Sequence, residues 1–410
     1  MLSGYPEETT VSTDAPLVLC VATDLPRFRV ELVREGAHRH CAQASGSLRG
    51  RDGAIGPVDR PWRWPRFAFG PSPTWPPGAY TACLIPDCAE RTTTPDARTA
   101  RALFVVPSER AHLAVNLPLF TYHAYNVALG EGEKGECLYS GARAVTLHRP
   151  GGGNGGRLWD ERHVDRYDPS SPRQTFAHWD APALAWLERQ GYAPAVCTDL
   201  DLHHGRLPRD LRALLFFGHQ EYWTREMRTT VDAFVRSGGS VAFLCGNTMW
   251  FRVRYDADRH AIVRDGTWSD DDPEEALTGT SYRFGGGRWG GERPPTGFTV
   301  RDPDHWVFAG TTLRRGQRFA EAEHLIGYEC DGTAAKDEGA SLATASLANW
   351  PVADDGGEVL GGRAAMRLRK LGHGTIFTAA TVDWARVLAH GEPHVERITR
   401  NVIDRFLADR

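Results

Sequence analysis

This sequence of 410 residues is poor in the features that usually place a protein at once. It has no run of about 18 apolar residues, the length that carries a helix across a bilayer. Its opening stretch, MLSGYPEETTVSTDAP, shows no basic region followed by an apolar one, so no secretory leader is read there and a cytoplasmic location is expected. It lacks an excess of positive charge: 48 Lys and Arg against 52 Asp and Glu leave a formal net charge of -4. That excludes the bulk basic field that draws proteins onto nucleic acid or anionic membrane, and neither is an expected partner. Its cysteines, at positions 20, 41, 83, 88, 137, 197, 245 and 330, contain no CxxC pair. Buried free thiols are therefore expected rather than zinc sites or a disulfide framework. The run GGGNGG at 151–156 has neither GxGxxG spacing nor a Walker lysine, which argues against nucleotide binding. Internal repeats are also missing.

What is present divides in two. Up to about residue 107, short β-branched or aromatic runs such as PLVLCVA, FRVELVRE, AYTACLIP and RALFVVP are separated by Gly, Pro and polar turns, with no helical periodicity between them. This spacing predicts an immunoglobulin-like β-sandwich over residues 1–107. From 108 to 410 the pattern alternates. Apolar strands APAVCT, LRALLFFG and SVAFLCG are interleaved with helical stretches FAHWDAPALAWLERQG and REMRTTVDAFVRSG, which end at Gly191 and Gly238. Strands apolar on both faces with helices between them predict an α/β domain built on a parallel sheet. A polar, Gly- and Asp-rich segment from about 252 to 321 is expected to be an insertion, folding over the sheet edge like a lid. The stretch AAMRLRKLGHGTIFTAAT reads as a closing strand pair. A C-terminal amphipathic helix carries Val395, Ile398, Val402, Ile403 and Phe406 on one face.

In open α/β sheets, ligands bind beyond the carboxyl ends of the strands. GHQEYW occupies that place after LRALLFFG and offers His219 and Glu221, although Glu221 could equally support the start of the helix that Thr224 caps. A plain cap is expected at Thr224, since Met227 stands where a capping box would have Glu. The stretch YHAYNVALGEGEKGECLYS follows another apolar strand and carries Tyr122, Tyr125 and Tyr139, whose simplest reading is half-buried aromatics. LIGYECDG places Glu329 at the end of a short apolar run, where a desolvated carboxyl can act as acid or base. TDLDLHHG is read as a polar loop that could line a site through His203. Cys245 lacks the flanking pattern of a nucleophile elbow.

Taken together, the quoted runs at the N-terminus, TYHAYN, CLYS, VTLHRP, WLERQGYAPAVCTDLDLH, the block from GHQEYW through FLCGNT, LIGYECDG and VERITRNVIDRF resemble the large catalytic subunit of N,N-dimethylformamidase and its relatives. The block from GHQEYW onward is the most specific part. The resemblance implies a glutamine-amidotransferase-like three-layer α/β domain. It also implies an amide hydrolase that uses one iron ion, as Fe(III), held by two tyrosines and a glutamate. Position by position, Glu221 matches the carboxylate ligand and Tyr139 one phenolate. Tyr125 matches the other phenolate, with Tyr122 as the alternative. His219 matches the substrate-facing histidine and Glu329 the acid/base glutamate. Hard anionic oxygen donors of this kind suit Fe(III). The partners so implied are a small amide substrate and, in the assembly, further copies of the chain or a small accessory subunit. Rival expectations are an enzyme on the same scaffold acting on a larger biosynthetic intermediate, and a non-catalytic binding module.

Overall fold

The computed structural model describes residues 1–70, 75–87, 100–126, 136–152, 175–268, 272–287, 295–326, 328–347, 351–354, 357–360 and 362–408. Cys88, residues 153–156 of the glycine run, residues 127–135 between the two candidate tyrosines, and 269–271 and 288–294 of the expected lid lie outside them.

The alternation read in the first hundred residues becomes two antiparallel sheets. Leu2–Pro6, Leu17–Thr23 and Arg66–Phe69 form one; Arg27–Arg34, His40–Ala44, Leu48–Arg49, Gly78–Pro86 and Ala100–Val106 form the other. Side chains two residues apart point the same way along a strand. Leu17, Leu19 and Val21 of the first sheet therefore meet Phe28, Val30, Leu32, Tyr80, Leu84 and Phe104 of the second in one apolar core.

The second half is organised by a large mixed sheet. Its parallel part runs in the order Ala195–Thr198, Leu113–Leu117, Ala213–His219, Ser240–Gly246 and Gly374–Thr378. Counted along the chain this is 2-1-3-4-5, the order of a doubly wound sheet. The two faces of these strands feed separate cores. Leu113, Val115, Leu215, Phe217 and Leu244 pack under the helices Asp180–Arg189 and Pro393–Ala408. Ala114, Leu214, Phe216, Val241 and Phe243 pack under Arg225–Arg236 through Met227, Val231 and Val235. Helices on both faces account for the uninterrupted apolar strands. The expected strand pair is the hairpin Arg363–Leu371 and Gly374–Thr378, and it joins the parallel part to an antiparallel extension.

Two local expectations change. The Thr224 cap is reciprocal: its hydroxyl accepts from the Met227 N–H at 3.2 Å, and the Met227 sulfur accepts from the Thr224 N–H at 3.5 Å. A polarizable thioether thus stands where a capping box has a carboxylate. The segment expected as a lid is built into sheets. Phe251–Asp256 and Ala261–Thr267 join Ala144–Thr146 and Tyr222–Trp223 in a four-stranded sheet, while Ser281–Gly286, Phe298–Val300 and Arg318–Phe319 extend the large one. Their strands are short and polar on one side, which is why no apolar run announced them.

Candidate active site

The strands Leu113–Leu117 and Ala213–His219 are neighbours. The helix Asp180–Arg189 covers one face of the sheet and Arg225–Arg236 the other, and the order reverses at this pair, the switch point at which open α/β sheets bind ligands. Gly218 makes the exit of the second strand possible. Its φ is +62°, and a Cβ there would stand 2.6 Å from the Trp179 side chain. His219 follows in register with Gly246 of the next strand. A Cβ on Gly246 would stand 2.3 Å from the Glu329 carbonyl oxygen. The missing side chain is what lets the Glu329 segment lie against this strand end.

Five residues singled out in the sequence converge here. His219 Nε2 lies 2.8 Å from Glu329 Oε2 and 3.6 Å from Glu221 Oε2. The Tyr125 ring stacks on that of Tyr139 with centroids 4.7 Å apart, and its centroid is 5.5 Å from the His219 ring. The Glu221 carboxyl lies close enough to Tyr125 for its charge to raise the phenol. His219, Glu221 and Tyr125 are buried, whereas Tyr139 is 40% exposed and forms the open side of the cluster.

Burial pushes the Glu221 carboxyl up to about 7; His219 works against this, and the Glu329 carboxylate adds to it. Burial would lower His219, but Glu329 and Glu221 outweigh it and hold the imidazole above its ordinary value. Burial, reinforced by Glu221, raises both phenols, Tyr125 far above the usual tyrosine range.

Sequence reasoning missed Asn247. It is buried, sits at φ +45°, and donates from Nδ2 to Glu221 Oε1 at 2.9 Å. A left-handed non-glycine residue at a strand end is a strained feature of the kind that gathers at functional sites. Tyr122 is placed elsewhere: its hydroxyl donates to the buried carboxylate of Asp180 and its ring belongs to the core under Asp180–Arg189. His203 lies 3.0 Å from the Thr224 hydroxyl and 3.6 Å from Glu226, at the start of the Arg225–Arg236 helix. Cys245 is a buried thiol 3.3 Å from the Thr248 hydroxyl, and burial raises its pKa, the opposite of an activated nucleophile. Cys20, Cys83, Cys137 and Cys197 are likewise buried free thiols, and Cys41 is an exposed one.

Among the described residues, no group of three His, Cys, Asp or Glu side chains is arranged to hold a metal ion. A metal at this cluster would have to draw on the phenol oxygens, and the donor set Tyr125, Tyr139 and Glu221 is chemically suited to a hard, highly charged one.

No helix is long and apolar enough to cross a membrane among the described residues. No curated protein matches the chain. Residues 34–397 match the family described as N,N-dimethylformamidase beta subunit-like, C-terminal, and the chain belongs to that family.

Proposed function

We propose that the chain is a mononuclear iron-dependent hydrolase that cleaves the C–N bond of a small amide or formamide. The observation that carries this is the meeting of two phenols and a carboxylate from three separate segments beside a His–Glu pair at the sheet's switch point. Tyr125, Tyr139 and Glu221 would hold the iron. When bound, such a cation lowers the pKa of a water molecule and polarises an amide carbonyl.

The chain's own groups handle the protons. Glu329 takes a proton from the attacking water as its oxygen bonds to the carbonyl carbon. Glu329 then returns that proton to the nitrogen as the C–N bond breaks, leaving a carboxylic acid and an amine, and the acid's remaining proton passes to the amine to give carboxylate and ammonium. His219 Nε2, 2.8 Å from Glu329, orients that carboxylate until it takes up the proton, and its N–H then serves the charge developing on the substrate oxygen. Asn247 fixes Glu221 by donating to its Oε1. In fold terms we read the two sheets of the first half as an immunoglobulin-like sandwich and the doubly wound half as glutamine-amidotransferase-like. The words "beta subunit-like" in the family's description support a catalytic subunit within a larger assembly, whether of identical copies or with a small accessory chain.

The test is direct. Purified protein should contain about one equivalent of iron, show a visible tyrosinate-to-iron charge-transfer band, and release amine from N,N-dimethylformamide or another member of a small-amide panel. Iron well below one equivalent after reconstitution, or fully loaded protein inert toward the whole panel, would overturn the proposal.

A further inference from the structure

The helix Leu119–Tyr125 has seven residues, too few to hold its shape unaided. It is fixed from outside at both ends of its first turn. Asp199, itself held by the Asn116 amide at 2.7 Å, accepts the Phe120 N–H at 2.8 Å, and Asp180 accepts the Tyr122 hydroxyl. Thr121 and Tyr125 stand four residues apart and so share one face of this helix. On that face the Thr121 hydroxyl oxygen accepts two backbone N–H groups, from Glu221 at 3.1 Å and from Tyr222 at 3.2 Å. The carbonyl side of the same loop is tied elsewhere, Gln220 O to Met249 N at 2.8 Å and Glu221 O to Phe251 N at 3.0 Å. The helix also reaches the third donor: Ala124 O accepts the Tyr139 N–H at 3.1 Å.

We propose that Thr121 is a positioning residue that sets the separation of the Tyr125 phenol and the Glu221 carboxylate, by clamping the Glu221 backbone to the helix that carries Tyr125. This rests on the reading of Tyr125, Tyr139 and Glu221 as the iron-holding set. A valine has the same shape but accepts nothing, so Thr121→Val leaves two buried N–H groups unpaired and the loop must shift to find other acceptors. Thr121→Ser keeps the oxygen.

Amide hydrogen exchange on metal-free protein, paired with iron titration, separates the clamp from the metal reading. In the wild type, the Glu221 and Tyr222 amides should exchange as slowly as those of the strand Ala213–His219. In Thr121→Val these two should lose protection selectively, while iron affinity falls about 10- to 100-fold, the range seen when the support of a ligand is removed, and the charge-transfer band moves. Thr121→Ser should restore all three. Fast exchange at these amides in the wild type overturns the proposal whether or not the valine variant folds. So does a valine variant whose protection loss spreads evenly over the sheet, or one whose iron affinity matches wild type. If the wild type binds no iron but the exchange pattern holds, the clamp stands and the iron reading fails.

Discussion

The two halves of the molecule bury different things. In the N-terminal sandwich the interior is Leu17, Leu19, Phe28, Val30, Tyr80 and Phe104, and its one fully enclosed carboxylate among the described residues, Glu35, is held by the Arg39 guanidinium at 2.7 and 3.1 Å. At the carboxyl ends of the parallel strands, Asn116, Asp180, Asp199, His219, Glu221 and Asp331 are all buried within one region. Burying polar groups costs free energy unless each finds a partner, and like charges close together cost more. A fold accepts that cost where it serves chemistry. The sandwich carries little of that cost, and the strand ends, where the proposed site lies, carry most of it. The two are joined by polar contacts such as Thr10 to Asp201 at 2.7 Å and Arg34 to Glu188 at 2.8 Å.

The comparison breaks most visibly at Glu221. Glu221→Gln keeps the shape and can still accept from Asn247, but it removes the charge. Activity is expected to fall by more than about 100-fold, beyond the usual effect of losing a supporting residue. The metal-free protein should be no less stable, because the lost group is a buried carboxyl already pushed up to about 7. Chemical denaturation alongside the assay checks both halves of this statement. A variant of full activity would remove Glu221 from the iron-holding set.

Phe104 tests the opposite end of the comparison. It is fully buried and stacks on Tyr80 with ring centroids 5.0 Å apart. Phe104→Ala should cost about 3–5 kcal/mol of stability, yet the activity per folded, iron-loaded molecule should stay near wild type. A loss of turnover in protein shown to be folded would mean that the sandwich shapes the site.

The same contrast explains what could be read from sequence. Period-two alternation and continuous apolar runs are local signals, so the sandwich strands and the parallel strands were legible, as was the placing of His219 and Glu221 at the carboxyl end of a strand. The choice between Tyr122 and Tyr125 was not. They lie three residues apart on one short helix, and it is Asp180, distant in sequence, that draws Tyr122 to the other side. Asn247 follows the run SVAFLCG with no signal of its own, because its contact with Glu221 depends on a left-handed backbone that FLCGN does not advertise. The approach of Glu329 hangs on the bare Cα of Gly246, a contact between segments more than eighty residues apart. Besides the local hairpin of Phe251–Asp256 and Ala261–Thr267, strands of 252–321 pair with partners distant in sequence, at Ala144–Thr146, Cys330–Gly332 and Ala343–Ser346, and such pairing leaves little trace in composition.

The smallest expected effect concerns pH. Glu274 is fully buried on the α/β side, accepts from the Ser281 hydroxyl, and is pushed up by burial to about 7 from a model-peptide value of 4.5. A carboxyl whose pKa is raised by folding binds more protons in the native state between those two values, so stability falls as pH rises through the window. The contribution is complete below about 4.5 and gone above about 7, with a size up to about 3 kcal/mol. Asp199 and Asp331, each also held at about 7 mainly by burial, act in the same direction. Metal-free protein should therefore unfold more easily at pH 8 than at pH 5, and Glu274→Gln should flatten that fall by one group's share. Denaturation midpoints of wild type and variant at the two pH values decide it. Parallel slopes would move the cause away from Glu274, and a rise in stability with pH would mean that the buried carboxylates of the α/β half are better paired than those of the sandwich.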